Sequence, residues 1–451
     1  MNLFLALCLF LASLLCVLSS EDGDFLLPPP ELRASISVEG KSPAVSSVAS
    51  SKLDGGRVAI VYVFIVSKRN GCDRGLAQYI KFSLQQAVLS QHNANVILVS
   101  NYKECPKVKN DADLIEGVIP VDTASIESER AQLFLNKSES MFQDDGLGNL
   151  WVTSALRFFY LEDMMKQMKI QELLHIEADN MLYGNLNDLI TIFKKGYKGM
   201  AATPLNTNKT FMTASVLWIP SVAILSFFND YLLALATDTK FEESHTKGLW
   251  LMYLDWLRPY ACCKHGGVQQ DANGMGLKPF AINEMSQMGY FHELYPQKFQ
   301  LLPVVPQYPF NINRHIPNIT EFGPHGKESG PPTFDGIWDP NSWGQFIGGT
   351  HDKNGRNKGF TDGSHIAGVG IRIAKCRPHM VCGNRTMHAL PKNKVSKDQN
   401  TGHALECYTA PFVQCGDIED NNQSPWVPLW NLHVHSKHTE NYISVPCKCQ
   451  D

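Results

Sequence analysis

The sequence predicts an α/β fold, in which a sheet is flanked by helices. Residues 58–66 form an unbroken β-branched and aromatic run, which is typical of a strand buried on both faces. A helical pattern and a second apolar run follow it, and this strand–helix–strand order indicates parallel strands joined by a right-handed crossover. The composition, 44% hydrophobic and 19% charged, provides for a large core and excludes global disorder.

The alternation of helix and strand patterns continues along the chain to about residue 310. Apolar residues first recur at helical spacing and then form a short continuous run, as expected for a helix packed on a buried strand. The predicted helices cover residues 74–91 and 151–168, and the further predicted strands cover residues 96–99, 173–176, 199–203 and 214–219. We therefore predict one α/β domain over residues 56–310.

The segment before this domain is typical of a secreted or luminal protein. Residues 1–20 contain no charged side chain, and their apolar run is shorter than the roughly 20 residues of a membrane span, which predicts a cleaved signal peptide. A signal anchor is the alternative, although no Lys or Arg precedes the run. Residues 21–55 are acidic and then rich in Pro and Ser, which predicts a flexible linker. No other segment is long and apolar enough to span a membrane. We expect the protein in the ER or Golgi lumen, or secreted.

Cysteines and glycosylation sequons agree with this compartment. Two of the twelve cysteines lie in the predicted signal peptide, and the ten others are compatible with full disulfide pairing of unknown connectivity. No C-x-x-C pair indicates a zinc site. N-x-S/T sequons begin at Asn136, Asn208, Asn318, Asn384 and Asn422.

Residues 311–451 differ in character from the α/β domain. Pro, Gly, Asn and Cys are frequent there, and periodic segments are scarce. We predict a loop-rich, disulfide-stapled C-terminal extension that wraps the α/β domain and completes a site at its edge.

Two groups of candidate metal ligands lie at predicted strands. Glu177 and Asp179 directly follow strand 173–176, and ligands of parallel sheets bind beyond the carboxyl ends of strands. Side chains two apart on an extended segment point to one side, so these carboxylates can share Mg²⁺ or Mn²⁺. His433 and His435 alternate with apolar residues, which places both imidazoles on one face of a short strand. A solvated acidic strand end and ordinary buried histidines are the alternatives.

Four motifs follow one another along the chain: W-x-x-x-x-x-R-F-F at 151–159, H-I-E-A-D-N-M-L-Y at 175–183, F-D-G…G-Q-x-x-G-G at 334–349 and N-L-H-V-H-S-K at 431–437. Taken in order, they resemble the nucleotide-diphospho-sugar transferases, glycosyltransferases of the GT-A type. The resemblance covers roughly residues 57–350 and 426–440. It implies a GT-A-like, Rossmann-type mixed sheet, and Mn²⁺ or Mg²⁺ held on the donor diphosphate by a D-x-D-like triplet, whose first Asp is here Glu177. It also implies that the C-terminal extension completes the acceptor and metal site.

The resemblance also implies a role for each candidate residue. The metal ligands would be Asp179, His433 and His435; the donor-binding residues Asn101, Arg157, Glu177 and Lys437; the catalytic carboxylates Glu284 and Asp335; and the acceptor-binding residue Gln345.

Structural roles remain open for four of these residues, of which Asp335 could be a structural cap. Arg157 could form a salt bridge on the helix surface with Glu162 or Asp163. Glu284 could favour the start of a helix through its charge, and Asn101 could be a turn residue.

The resemblance implies transfer of a hexose from a nucleotide-diphosphate sugar to a hydroxyl of a carbohydrate, protein or lipid acceptor. A non-catalytic secreted sugar-binding relative and a metal-dependent hydrolase are the alternatives. A net charge of −4, without a long basic run, excludes a general electrostatic nucleic-acid binder.

Overall fold

The computed structural model describes the α/β domain and parts of the C-terminal extension. The chain divides into two units, Met1–Lys41 and Ser42–Asp451, and all described residues belong to the second. The predicted signal peptide, the predicted linker and the predicted domain boundaries lie outside the described residues. The described residues are 57–66, 72–91, 93–138, 141–142, 150–206, 209–238, 248–261, 282–304, 334, 336–340, 343–344, 377–382, 385–387, 410–414 and 426–434.

Strands account for the centre of the domain and for much of the described extension. They are β1 (Val58–Val63), β2 (Ala94–Ser100), β3 (Val118–Asp122), β4 (Leu173–Ile176), β5 (Asn180–Leu182), β6 (Met200–Pro204), β7 (Met212–Ile219), β8 (Phe299–Leu301), β9 (Arg377–Cys382), β10 (Arg385–Met387), β11 (Ala410–Gln414), β12 (Trp426–Pro428) and β13 (Asn431–His433).

Helices alternate with these strands in the domain. They are α1 (Gln78–Ser90), α2 (Pro106–Asp113), α3 (Thr123–Ile126), α4 (Glu129–Ser138), α5 (Leu150–Met168), α6 (Leu186–Gly196), α7 (Val222–Asp238), α8 (Leu249–Ala261) and α9 (Glu284–Leu294). Within the described ranges, no helix is both long and apolar enough to cross a membrane.

A seven-stranded mixed sheet forms the core of the domain, in the order β3-β2-β1-β4-β7-β6-β8. Strands β1, β2, β3 and β4 are parallel, β7 runs against β4 and β6, and β8 is parallel to β6. The predicted fold class, an α/β mixed sheet flanked by helices, is therefore confirmed. The antiparallel β7 closes the parallel part of the sheet beside β4, the strand that carries the candidate acidic motif.

Both faces of the sheet are covered by apolar layers. Residues of α5, α7 and α9 pack on one face, and residues of α1, α2 and α6 pack on the other. Side chains of β1 alternate between the two layers, with Val61 in the first and Ile60 in the second. This two-sided burial is the reason why the strand sequences are continuously apolar.

The described part of the extension contains the short strand expected at His433, and it also contains strands where the sequence predicted loops. Strands β10, β9, β11 and β12 form an antiparallel sheet in that order, and β13 pairs antiparallel with β5 of the domain. The last pairing attaches the extension beside the carboxyl end of β4. A disulfide joins Cys72, in a 3₁₀ turn (Cys72–Arg74) after β1, to Cys105 before α2.

Candidate functional site

Glu177 and Asp179 lie in a tight turn between β4 and β5. The amide of Asn180 donates to the carbonyl of Glu177 at 3.0 Å, and the amide of Glu177 donates to the carbonyl of Ser215 on β7 at 3.1 Å. The prediction that residues 177–179 are extended is therefore wrong. The two carboxylates still converge, because the turn folds both side chains toward one point beyond the sheet.

The pairing of β13 with β5 brings His433 to this turn. His433 lies opposite Asn180 in the register, and the amide of Val434 donates to the carbonyl of Asp179 at 2.9 Å. His433 Nε2 is 3.1 Å from Asp179 Oδ1, and its Nδ1 is 3.8 Å from Glu177 Oε2.

These three side chains form a site that fits a divalent metal ion. One ligand atom from each of Glu177, Asp179 and His433 lies within 4.8 Å of the other two. Metal ligands must be deprotonated. Burial lowers the pKa of His433, although the charges of Glu177 and Asp339 oppose this, so its imidazole is neutral at pH 7. Burial alone would raise the pKa of Glu177, but the charge of Arg157, helped by His433, holds it at about 2.

Arg157 lies on α5 with its side chain largely buried beside Glu177. Its Nε donates to the carbonyl of Ser154 at 2.6 Å, its Nη1 donates to Glu177 Oε1 at 2.6 Å, and its Nη2 donates to Glu284 Oε1 at 3.2 Å. The alternative that Arg157 forms a surface salt bridge with Glu162 or Asp163 is therefore wrong. Glu162 instead pairs with Arg130 and Lys166. The guanidinium thus bridges the turn that carries Glu177 and the first residue of α9.

Glu284 is the first residue of α9, but it is not the residue that caps it. Asn283 is the N-cap and forms a capping box with Ser286. Glu284 is 3% exposed, and its Oε2 atom has no hydrogen-bond partner among the described residues. Burial raises the pKa of Glu284 to about 7, against the charge of Arg157 and with that of Glu177. Its carboxyl group can therefore exchange a proton near neutral pH.

Asn101 ties the end of β2 to the end of β1. Its Oδ1 accepts from the amide of Val66 at 2.9 Å, and its Nδ2 donates to the carbonyl of Val66 at 3.0 Å. Both bonds are buried. The structural role considered from the sequence is present, and a contact with a nucleoside would be additional to it.

Sequence reasoning missed Asp339, a fully buried carboxylate next to His433. Its Oδ2 accepts from the amide of His433 at 2.9 Å. Asp339 stands in the sequence I-W-D-P, which matches no metal or catalytic pattern. Four predicted site residues, namely Asp335, Gln345, His435 and Lys437, lie outside the described residues.

No model of a known protein family and no curated protein sequence matches the chain. Three of the solved structures that are similar to it are glycosyltransferases. Mouse xyloside xylosyltransferase 1 is 12% identical with a TM-score of 0.35, over 61% of this chain and 96% of that chain. The PaToxG glycosyltransferase is 10% identical with a TM-score of 0.27, over 44% and 66%. The glycosyltransferase GlyE of Streptococcus pneumoniae is 13% identical with a TM-score of 0.23, over 43% and 41%. Because these TM-scores are low, inferences about function rest on the protein's own site.

Proposed function

We propose that the protein is a metal-dependent glycosyltransferase, which moves a hexose from a nucleotide-diphosphate sugar to a hydroxyl acceptor. The observation that supports this best is the convergence of Glu177, Asp179 and His433 beyond the carboxyl end of β4. Ligands of open α/β sheets bind at that edge. Two carboxylates and one imidazole form a mixed O/N ligand set, which suits Mn²⁺ and leaves positions for phosphate oxygens.

Asp179 and His433 would hold Mn²⁺, or Mg²⁺, together with one oxygen of Glu177. The bound ion would neutralise the charge that develops on the departing nucleoside diphosphate. The other oxygen of Glu177 accepts from Arg157, so this Glu can serve both groups at once. Its side chain is longer by one methylene than the Asp of a D-x-D triplet. This extra length explains how Glu177 reaches Arg157 while it faces His433.

Glu284 would accept the proton of the acceptor hydroxyl. A general base works best when its pKa is close to the working pH, and the pKa of Glu284 is raised to about 7. The atom available for this role is Oε2, since Oε1 accepts from Arg157. Six further residues complete the proposed site. The donor would be bound by Asn101, Arg157 and Lys437. The metal would also be bound by His435, and the acceptor side would include Asp335 and Gln345.

We also propose that the protein acts in the secretory pathway or outside the cell. The disulfide between Cys72 and Cys105 supports this, because structural disulfides persist in oxidising compartments.

Isothermal titration with UDP-sugars and Mn²⁺ tests the proposed function. We expect binding heat for one sugar nucleotide, which depends on Mn²⁺ and disappears in Asp179→Ala. Asp188→Ala removes an exposed acid of α6 and is the matched control, which should bind as the wild type does. If a panel of UDP-, GDP- and ADP-sugars gives neither binding heat nor sugar transfer in Mn²⁺, the proposal is wrong. Binding without transfer or donor hydrolysis would instead favour a non-catalytic sugar-binding protein.

A further inference from the structure

We infer that Asp339 is a positioning residue of the metal site, which holds His433 against the turn that carries Glu177 and Asp179. It would act through the main chain of His433 and would not touch the metal ion itself. The inference deepens the proposed function and rests on it.

The carboxylate of Asp339 collects three backbone amides from two separate segments. Its Oδ1 accepts from the amide of Trp343 at 2.8 Å, and its Oδ2 accepts from the amides of Gly344 at 2.8 Å and His433 at 2.9 Å. The residue is 0% exposed. The three amide donors satisfy the buried carboxylate and offset the cost of removing it from water. A single buried carboxylate thus joins residues 343–344 to β13.

The backbone of Asp339 belongs to a closed ring of buried hydrogen bonds. Its amide donates to Asn431 Oδ1 at 2.8 Å, and Asn431 Nδ2 donates to Asn180 Oδ1 at 3.0 Å. Asn180 Nδ2 donates to the carbonyl of Ser215 at 2.6 Å, and Ser215 Oγ donates back to the carbonyl of Asp339 at 3.2 Å. All four residues are 0% exposed. Because Asn180 follows Asp179 directly, the ring fixes both sides of the metal site relative to each other.

Close packing at Gly344 leaves His433 little freedom on the same side. A Cβ atom at position 344 would lie 2.0 Å from the carbonyl oxygen of His433 and 2.9 Å from Asp339 Oδ2. The backbone of residue 344 therefore lies directly against His433. This contact holds the main chain of His433, and the Nε2 atom of the His433 imidazole lies 3.1 Å from Asp179 Oδ1.

Replacement of Asp339 separates positioning from general stability. Asp339→Ala removes all three acceptor bonds, and we expect Mn²⁺ affinity to fall about 10- to 100-fold, as for other residues that orient metal ligands. In Asp339→Asn the amide oxygen can still accept from Gly344 and His433, whereas the NH2 group faces the amide of Trp343 and cannot accept from it, so Mn²⁺ affinity should fall less than in Asp339→Ala. Asp111→Ala is the matched control. It likewise removes a carboxylate that accepts a backbone amide from a separate segment, that of Leu76 at 2.8 Å, but it takes no part in the proposed metal site, so Mn²⁺ affinity should not change.

Affinity is measured by titrating Mn²⁺ alone and following the EPR signal of the free ion, with the melting temperature of each variant recorded beside it. If the wild type does not bind Mn²⁺, the proposed function fails and this inference fails with it. If the wild type binds and Asp339→Ala binds equally well, or Asp111→Ala loses as much affinity, only this inference is overturned.

Hydrogen exchange of the wild type gives a second test, in case Asp339→Ala does not fold. The amides of Trp343, Gly344 and His433 donate to one carboxylate, that of Asp339. Added Mn²⁺ should therefore slow exchange both in the peptide that contains residues 343–344 and in the peptide that contains His433. Slower exchange at His433 without any change at residues 343–344 would contradict the role of Asp339.

Discussion

Replacing Glu284 by Gln removes a buried charge that opposes folding at neutral pH. Glu284 is 3% exposed and lies 3.2 Å from Arg157 Nη2. Gln has nearly the same shape, and its amide oxygen can keep accepting from Arg157. The substitution therefore changes the charge and leaves the packing almost unaltered.

The size of the effect follows from the pKa of Glu284. Burial raises this pKa from the ordinary 4.5 to about 7, opposed by Arg157 and assisted by Glu177. One pKa unit corresponds to 1.36 kcal/mol, so the shift corresponds to about 3 kcal/mol. Because the folded-state pKa is raised, the protonated form favours folding. This contribution is complete below pH 4.5 and is lost as the pH rises through 7.

Other ionisable groups do not hide this effect. The pKa of Glu177 is held at about 2, so that residue titrates below the window. Burial raises the pKa of Tyr253, which also faces Glu284, so that it titrates above the window. Burial likewise raises the pKa of Asp163 to about 6, but this drift occurs in both proteins and cancels in their difference.

Urea unfolding of both proteins at pH 5 and pH 8 measures the difference. We expect Glu284→Gln to be more stable by about 3 kcal/mol at pH 8 and by about 1 kcal/mol or less at pH 5. The variant should also lose sugar transfer if Glu284 is the proton acceptor. A variant that is equally stable at pH 8, or a difference that does not change with pH, would refute the assignment of a raised pKa.

Three further substitutions test the buried site and the core. Arg157→Met leaves Glu177 and Glu284 without their cation, and urea titration should show a loss of about 3–5 kcal/mol in unfolding free energy. The control Arg258→Met replaces an exposed arginine and should cost little. Equal losses in the two variants would contradict the buried pairing. Gly344→Ala places a Cβ 2.0 Å from the carbonyl oxygen of His433 and should weaken Mn²⁺ binding in the EPR titration; unchanged affinity would argue against this close approach. Phe193→Ala removes a fully buried ring that stacks in an aromatic cluster and should cost about 3–5 kcal/mol by urea unfolding; a loss below about 1 kcal/mol would contradict its packing.

The strands that are apolar on both faces could be predicted from the sequence. Residues 58–66 and 173–176 were found within a few residues of β1 and β4 because burial on both faces leaves a continuous signal. Strand β3 was missed, since its buried and partly exposed residues alternate over only five positions and include Pro120. Short, half-buried strands give too little pattern to separate them from loops.

The site was predictable where its residues carry a local pattern. Glu177, Asp179 and His433 stand in recognisable short motifs, and the structure brings them together. Asp339 carries no such motif, because its importance comes from amides that reach it from elsewhere in the fold. The bond between Arg157 and Glu284 likewise joins residues 127 positions apart, a separation that no local pattern records.

The pairing of β13 with β5 sets the earliest time during synthesis at which the proposed metal site can be complete. Asn180 and Asn431 are 251 residues apart, so a ribosome that adds about 5–20 residues per second needs roughly 13–50 s between them. During that interval the sheet can form with its acidic turn, while His433 has not yet been made. A nascent or prematurely ended chain can therefore fold its core and still lack the histidine of the proposed metal site, which would delay metal binding until β13 has been synthesised.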